Sequence, residues 1–280
     1  MPPIEGISEI RRLPRLNKIR LGIKKEGQRG PYPAAVNYFV CPSEVIAVYG
    51  EEPKELKVMF PSDDINLCVP QWYKCYSYSQ GLICRGDGRI CRRKVDIQTG
   101  DFADKETKQW EICETSCDGP KCPKYPAKQC RRVMSLLFIL PDVPGLGVYQ
   151  LDTSSFYSIV NINSQIGSDP PGFLRQFTGG RIAFLPLTLS VVDQEVNPPG
   201  EGRKVIHVLS LCSEVKVSDL IEASRKRPAQ VLLPTLSEEE PPEDQYPPEI
   251  LEAAETKPVD ICPDKSTASP EPAAAQETAT

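Results

Sequence analysis

Four cysteines fall within CETSCDGPKCPKYPAKQC, residues 113–130. Thiolates are soft ligands that hold a zinc ion when four of them converge tetrahedrally, each about 2.3 Å from the metal. Here the intervals are C-x3-C, C-x4-C and C-x7-C, short enough for one loop to wrap around an ion. Gly119, Pro120, Pro123 and Pro126 bend that loop, and Lys121, Lys124 and Lys128 offset the charge of a thiolate centre. The reading is a structural zinc held by Cys113, Cys117, Cys122 and Cys130, with Cys84 or Cys91 from a neighbouring hairpin able to replace Cys113 as the fourth ligand. Four sulfur ligands leave no position open for water, so such a metal is scaffolding and not a catalyst. Reduced thiols without metal, or redox chemistry, are the alternatives. A disulfide framework is not expected, because the chain has 11 cysteines, an odd number, and its N-terminal MPPIEGISEIRR lacks the apolar core of an export signal. Cys41, Cys68, Cys75, Cys212 and Cys262 are scattered and read as buried packing or, for the last, simple exposure.

Other chemistry-bearing residues are sparse. The single histidine, His207, lies in the strand-like KVIHVLSL on the same face as Val205 and Leu209, and reads as a satisfied, partly buried imidazole. There is no G-x-S-x-G elbow and no G-x-x-x-x-G-K-[ST] loop, and GLGVYQ (145–150) lacks the third glycine of a dinucleotide site. Asp87, Asp142 and Asp152 could cooperate in a metal-dependent hydrolase, but nothing in their spacing compels it. The sequence gives no positive argument for an enzyme.

The net charge of −5 conceals two unlike parts. Residues 235–280 carry twelve acidic residues against Lys257 and Lys265, which leaves the rest of the chain mildly basic. Cations crowd two segments, Arg11 to Lys25 and Arg85 to Lys94, where they can contact phosphate or form a solvated surface. Arg11, Arg12, Arg15, Arg92 and Arg93 are the residues assigned to lie near DNA. Arg85-Gly86-Asp87 belongs to a turn and is not read as an adhesion signal. No run approaches the roughly 18–20 apolar residues of a membrane span, and the chain is expected in the cytoplasm.

The elements that would position these residues are short, as 29 prolines and 18 glycines require. Period-2 or β-rich stretches predict strands at 18–25, 34–40 and 55–60. PSEVIAVYG (42–50) predicts a helix capped by Ser43 and closed by Gly50, and DDINLCVPQWYKCY (63–76) a helix interrupted at Pro70. GLICRGDGRICRRKVD (81–96) predicts a β-hairpin turning at Gly-Asp-Gly. RRVMSLLFILP (131–141) predicts a strand buried on both faces, followed by a strand at 147–151. A helix entered through Thr153 or Ser154 follows, with Phe156, Ile159 and Val160 on its apolar face and Asn163 as the polar exception. Segments 180–192 and 203–212 predict an antiparallel pair near the centre of a sheet, and 217–227 a helix capped by Ser218.

Together these predict an α+β fold: a mainly antiparallel sheet, a few short helices and a cysteine-rich insertion at about 110–131. Residues 1–9 read as a flexible start, 10–233 as the folded domain and 234–280 as a disordered acidic Pro/Glu/Ala-rich tail.

Several segments carry a resemblance. LPRLNKIRLGIK (13–24), MFPSDDINLCVPQWYKCY (59–76), GLICRGDG (81–88) and above all LPDVPGLGVYQLDTSSFYSIVNINS resemble the recombination directionality factor-like family of phages and prophages. The resemblance runs from about residue 10 to 212. It implies a non-catalytic regulator that binds a large serine integrase seated on DNA, shifts the integrase's coiled-coil arm and biases site-specific recombination towards excision. DNA would then be met indirectly, through the integrase complex, with no small-molecule substrate and no membrane. Relatives often carry the label of hydrolase or metal-binding protein, and some lack the cysteine cluster, so metal would not be essential to the family's activity. Leu146, Tyr149 and Phe156 are the residues singled out for partner contact. The runner-up readings are a zinc-containing, nucleic-acid-binding phage accessory protein and a metal-dependent hydrolase.

Overall fold

The computed structural model describes residues 12–26, 32–77, 81–103, 106–197 and 202–225. The expectations for residues 1–9, Arg11 and the 234–280 tail lie outside the described residues. Chain order begins with β1 (Arg15–Lys25), β2 (Tyr32–Val40), α1 (Ser43–Tyr49), β3 (Glu55–Val58), α2 (Ile65–Cys68) and β4 (Gln71–Ser77). Next come β5 (Gly81–Gly86), β6 (Ile90–Asp96), β7 (Trp110–Ser116), β8 (Cys130–Phe138), β9 (Val148–Thr153) and α3 (Phe156–Ile166). The series closes with α4 (Phe173–Phe177), β10 (Leu187–Val196), β11 (Lys204–Cys212) and α5 (Val217–Arg225). The fold is α+β. An eight-stranded sheet runs β2-β1-β9-β8-β4-β5-β6-β7, and a three-stranded sheet runs β11-β10-β3. All pairings between these strands are antiparallel except β1 with β9.

The main core lies where these two sheets meet α3. Met134, Leu136 and Phe138 of β8, Leu151 of β9 and Ile19 of β1 are buried with Ile162 and Ile166 of α3 and with Leu189, Leu209 and Leu211 of the smaller sheet. Residues that alternate along a strand share one face, so every second side chain of β8 reaches this core. Helix α3 is tied to both sheets. Ser158 Oγ accepts the Leu209 N–H at 3.0 Å, and the amides of Gln71 and Asn163 exchange hydrogen bonds of 2.7 and 2.9 Å. Asn163, the polar residue on an otherwise apolar helix face, is therefore a link to β4.

Six local expectations need correction. Helix α1 begins at Ser43 itself, so Pro42 stands at its N-cap and no side chain caps it. The segment 63–76 is not an interrupted helix: one turn, α2, is capped by Asp64, and after Pro70 the chain becomes β4. Proline cannot continue the helix, and pairing with β5 and β8 recruits Trp72 and Tyr73 into the sheet. Helix α3 is capped by Ser155, because Thr153 is still the last residue of β9. The pair β10–β11 belongs to the smaller sheet, with β11 at its edge and not at a centre. Its first strand begins at Leu187, and α5 begins at Val217, which puts Ser218 inside the first turn.

The stretch before β10 is irregular because its backbone bonds to a side chain. Asp63 Oδ1 accepts the N–H groups of Ile182 and Ala183 at 2.8 and 2.7 Å, and both residues are fully buried. Asp63→Ala would strand two buried donors. The expected loss is about 2–4 kcal/mol of stability, read from urea unfolding. Asp63→Asn, which keeps an acceptor oxygen, should lose clearly less.

Candidate interaction surface and cysteine cluster

Register along the extended half of the large sheet sorts its side chains into two faces. Cys130, Cys75, Cys84, Arg93 and Cys113 are successive cross-strand partners on β8, β4, β5, β6 and β7. Their neighbours Arg131, Lys74, Arg85, Arg92 and Glu114 are likewise partners, and strand alternation turns them to the opposite face. One face thus carries thiols on β8, β4, β5 and β7, interrupted by Arg93 on β6, and the other carries cations on β8, β4, β5 and β6, of which Lys74 is buried. Arg92 and Arg93, grouped together in the sequence, point in opposite directions, so Arg93 is removed from any surface that the cation row would share with DNA.

On the thiol face the loop from Cys117 to Gln129 folds back over the strands. Gly86 makes room for it: a Cβ there would stand 2.8 Å from Cys117 Sγ and 2.6 Å from Cys91 Cβ. Cys91 lies within sulfur hydrogen-bonding reach of both Cys84 and Cys117, and also donates to the Ser116 carbonyl at 3.4 Å. Cys122 stands near Cys75 and Cys130. A β-bulge in β5 places the extra residue, Ile83, against Cys75 and Cys130 in a small satellite core with Tyr73, Cys84, Phe102 and Tyr125. Burial pushes the thiol pKa values up, to about 11 for Cys75 and about 12 for Cys130, and also raises that of Cys84. Neighbouring thiols add to the effect for Cys130 and Cys84, since each charge opposes the next. Without a cation these groups are neutral at pH 7.

The expected tetrad is not assembled as the spacing implied. Cys117, Cys122 and Cys130 come together, joined by Cys84 and Cys91 and also by Cys75, which the sequence offered only as packing. Cys113 is outside the group. It lies two strands beyond Cys84 with Arg93 between them, and strands are about 4.8 Å apart. Its Sγ donates to Glu111 at 3.4 Å instead. Among the described residues no three His, Cys, Asp or Glu side chains already stand in an arrangement that could hold an ion.

The other singled-out residues divide. Leu146 is 93 % exposed on the Pro/Gly loop, and Phe156 is 51 % exposed at the start of α3. Tyr149 is 2 % exposed, its hydroxyl buried without a hydrogen-bond partner and its pKa raised by burial and by the nearby Glu44 carboxylate. It is a core residue, because strand alternation turns it towards the same layer as Leu151. Arg12 is exposed, while Arg15 donates to Gln150 of β9. His207 is satisfied but not buried, pairing with Asp193 at 2.7 Å on the surface. The three carboxylates do not converge. Asp87 caps its own turn by accepting the Arg89 and Ile90 N–H groups. Asp142 meets Tyr49 and Lys57, whereas Asp152 meets Gln150 and Lys18.

Sequence reading missed two aromatic residues. Phe173 and Phe177 stack edge-to-face at 4.8 Å on the short helix α4, both largely exposed. Phe156 and Val160, one turn apart on α3, are exposed as well, and the Arg132 guanidinium lies 5.1 Å from the Phe156 ring centre. The Phe-x3-Phe interval in GFLRQF was the available signal, since it sets both rings on one side of a helix. Exposed aromatics grouped in this way mark interaction surfaces more often than solvent-facing ones.

This body coincides with a known family. A family model described as recombination directionality factor-like (Gp3-like) matches residues 16–218, nearly the whole described fold from β1 into α5. The chain belongs to that family. Among curated proteins and solved structures, no significant match is found. Membership makes this directionality factor-like protein a relative of regulators of phage recombination. Among the described residues no helix is long and apolar enough to cross a membrane.

Proposed function

We propose that this protein binds a large serine integrase on DNA and biases site-specific recombination towards excision, acting in the cytoplasm where integrase and DNA meet. Family membership across residues 16–218 carries the reading. The exposed aromatics of α3 and α4 supply a surface suited to a helical partner, because apolar side chains at helical spacing pack into the grooves of another helix. No bond needs to be made or broken by the factor. A protein that binds the excision-competent arrangement of the integrase more tightly than the alternative shifts the population towards it. A tenfold bias requires only about 1.4 kcal/mol of differential affinity. On the cation-bearing face Arg131 and Arg92 are exposed, with Arg85 half-buried over Trp72 between them and Lys74 buried, and the two exposed guanidinium groups support a position alongside the DNA in that assembly.

The test is a purified recombination assay with the integrase encoded by the same genetic element. Adding the full chain should stimulate attL × attR recombination and suppress attP × attB. If the integrase neither binds nor changes direction, the reading fails. The cation row also favours a second reading, an accessory protein that binds nucleic acid by itself. That reading expects affinity for DNA in the absence of integrase, falling steeply as salt rises.

A further inference from the structure

The cysteine-bearing end of the large sheet is poorly provided with core. Cys75, Ile83 and Cys130 form its buried cluster, supported by Tyr73, Cys84, Phe102 and Tyr125, and outside that cluster Cys91 and Val95 of β6 and Ala103 are buried as well. Most of the described apolar side chains lie in the other cluster, around α3. A small unit with so little apolar burial ordinarily needs a disulfide or a metal to hold its loops. The cysteines here are free thiols.

Two cations stand beside those thiols. Arg93 Nε is buried with no hydrogen-bond partner, while the guanidinium lies 5.0 Å from the Phe102 ring centre and close to Cys91. Lys124 Nζ lies 5.5 Å from the same ring and acts electrostatically on Cys75. An orphaned guanidinium donor is costly in a cluster of neutral thiols, and becomes satisfied if a neighbouring sulfur is a thiolate. The surroundings are therefore those of a negatively charged group.

We propose that this cluster is a structural zinc site in which Cys84, Cys91 and Cys117 are three ligands and a thiolate from Cys75, Cys122 or Cys130 completes the tetrahedron. The sheet supplies Cys84 and Cys91 from adjacent strands, and the returning loop supplies Cys117 through the space that Gly86 leaves. Tetrahedral ligation needs sulfurs about 3.8 Å apart, so binding draws the thiols together by side-chain rotation as each loses its proton to solvent. Arg93 and Lys124 then balance the negative centre. Cys113 takes no part.

The experiment is native mass spectrometry and elemental analysis of the full chain purified without chelator, with Zn²⁺ as the metal added back. About one zinc per chain is expected, and cobalt substitution should give sulfur-to-metal charge-transfer absorption. Cys91→Ser and Cys117→Ser should each reduce zinc content to less than about a fifth, whereas Cys113→Ser should retain it in full. The wild-type measurement stands even if a variant misfolds. A metal-free protein whose thiols all react, or one whose unreduced mass reveals disulfides, overturns the proposal. Loss of zinc in Cys113→Ser with retention in Cys91→Ser overturns the ligand set. Neither result depends on whether the protein binds an integrase.

Discussion

With alanine at both Phe156 and Phe177, affinity for the cognate integrase is expected to fall by about 2–4 kcal/mol, a loss of some 30-fold to several-hundred-fold in Kd. The argument rests on how these rings are held. Phe177 is braced edge-to-face by Phe173, and Phe156 by Tyr157 at 5.4 Å and by the Arg132 guanidinium. Ordered aromatic side chains give up little entropy on binding, so most of their buried area appears as affinity. Because about half of each ring is exposed in the free protein, removing both should cost the fold only about 1–2 kcal/mol, from the lost ring contacts. Calorimetric binding and thermal unfolding, measured on the same preparations, separate the two effects. Leu146→Ala serves as the comparison. Among the described residues that side chain is the most exposed of the large apolar ones, but it lies just before β9, at the end away from α3 and on a loop whose glycines face Leu16, and its removal should weaken binding by less than tenfold, or about 1.4 kcal/mol. If Leu146→Ala abolishes binding and the phenylalanine pair leaves it intact, the partner sits on the Pro/Gly loop and the assignment of the surface to α3 and α4 is wrong.

How much of this was legible in the sequence depends on the range over which each feature is decided. Alternation along 18–25, 81–96 and 203–212 located β1, the β5–β6 hairpin and β11, because period and turn chemistry are local. The Gly-Asp-Gly turn even contains its own proof, with Asp87 closing on the two N–H groups that follow it. Register is not local. Whether Cys113 faces Cys84 directly or across Arg93 depends on how β6 pairs on each side, and no interval between cysteines encodes that. Cys75 was passed over for the same reason: it sits 38 residues before Cys113 and enters the cluster only because β4 lies between β5 and β8. Tyr149 misled in a different way. An aromatic beside a Pro/Gly loop reads as a contact residue, but one residue of strand parity turned it inward. The strand expected from Gly180 failed because a distant carboxylate, Asp63, captured the N–H groups that a ladder would have used.

Gly86→Ala should be among the most damaging single methyl additions in the chain. Its Cβ would lie 2.6 Å from Cys91 Cβ, 2.8 Å from Cys117 Sγ and 2.8 Å from the Ile90 carbonyl oxygen. That oxygen accepts the Asp87 N–H at 3.1 Å and closes the hairpin turn, so it cannot retreat without opening the turn itself. Overpacking of this kind costs about 3 kcal/mol or more when backbone stands among the obstacles. Gly100→Ala is the control: Gly100 has a φ of +75° but nothing within 4 Å of its would-be Cβ, so only the left-handed penalty of about 1–2 kcal/mol applies. The damage at Gly86 should also be confined. The core around α3 shares no buried residue with the satellite around Cys75, so hydrogen exchange should rise in β5, β6 and the Cys117–Gln129 loop while β9, α3 and the part of β8 from Met134 to Phe138 remain protected. Thiol reagents should label Cys84, Cys91 and Cys117 in the variant well before Cys68, which is buried in the main core. A variant as stable as the parent, with its thiols equally slow to react, would mean that Cys117 does not sit over Gly86 and that the sheet and the returning loop are held together by something other than that contact.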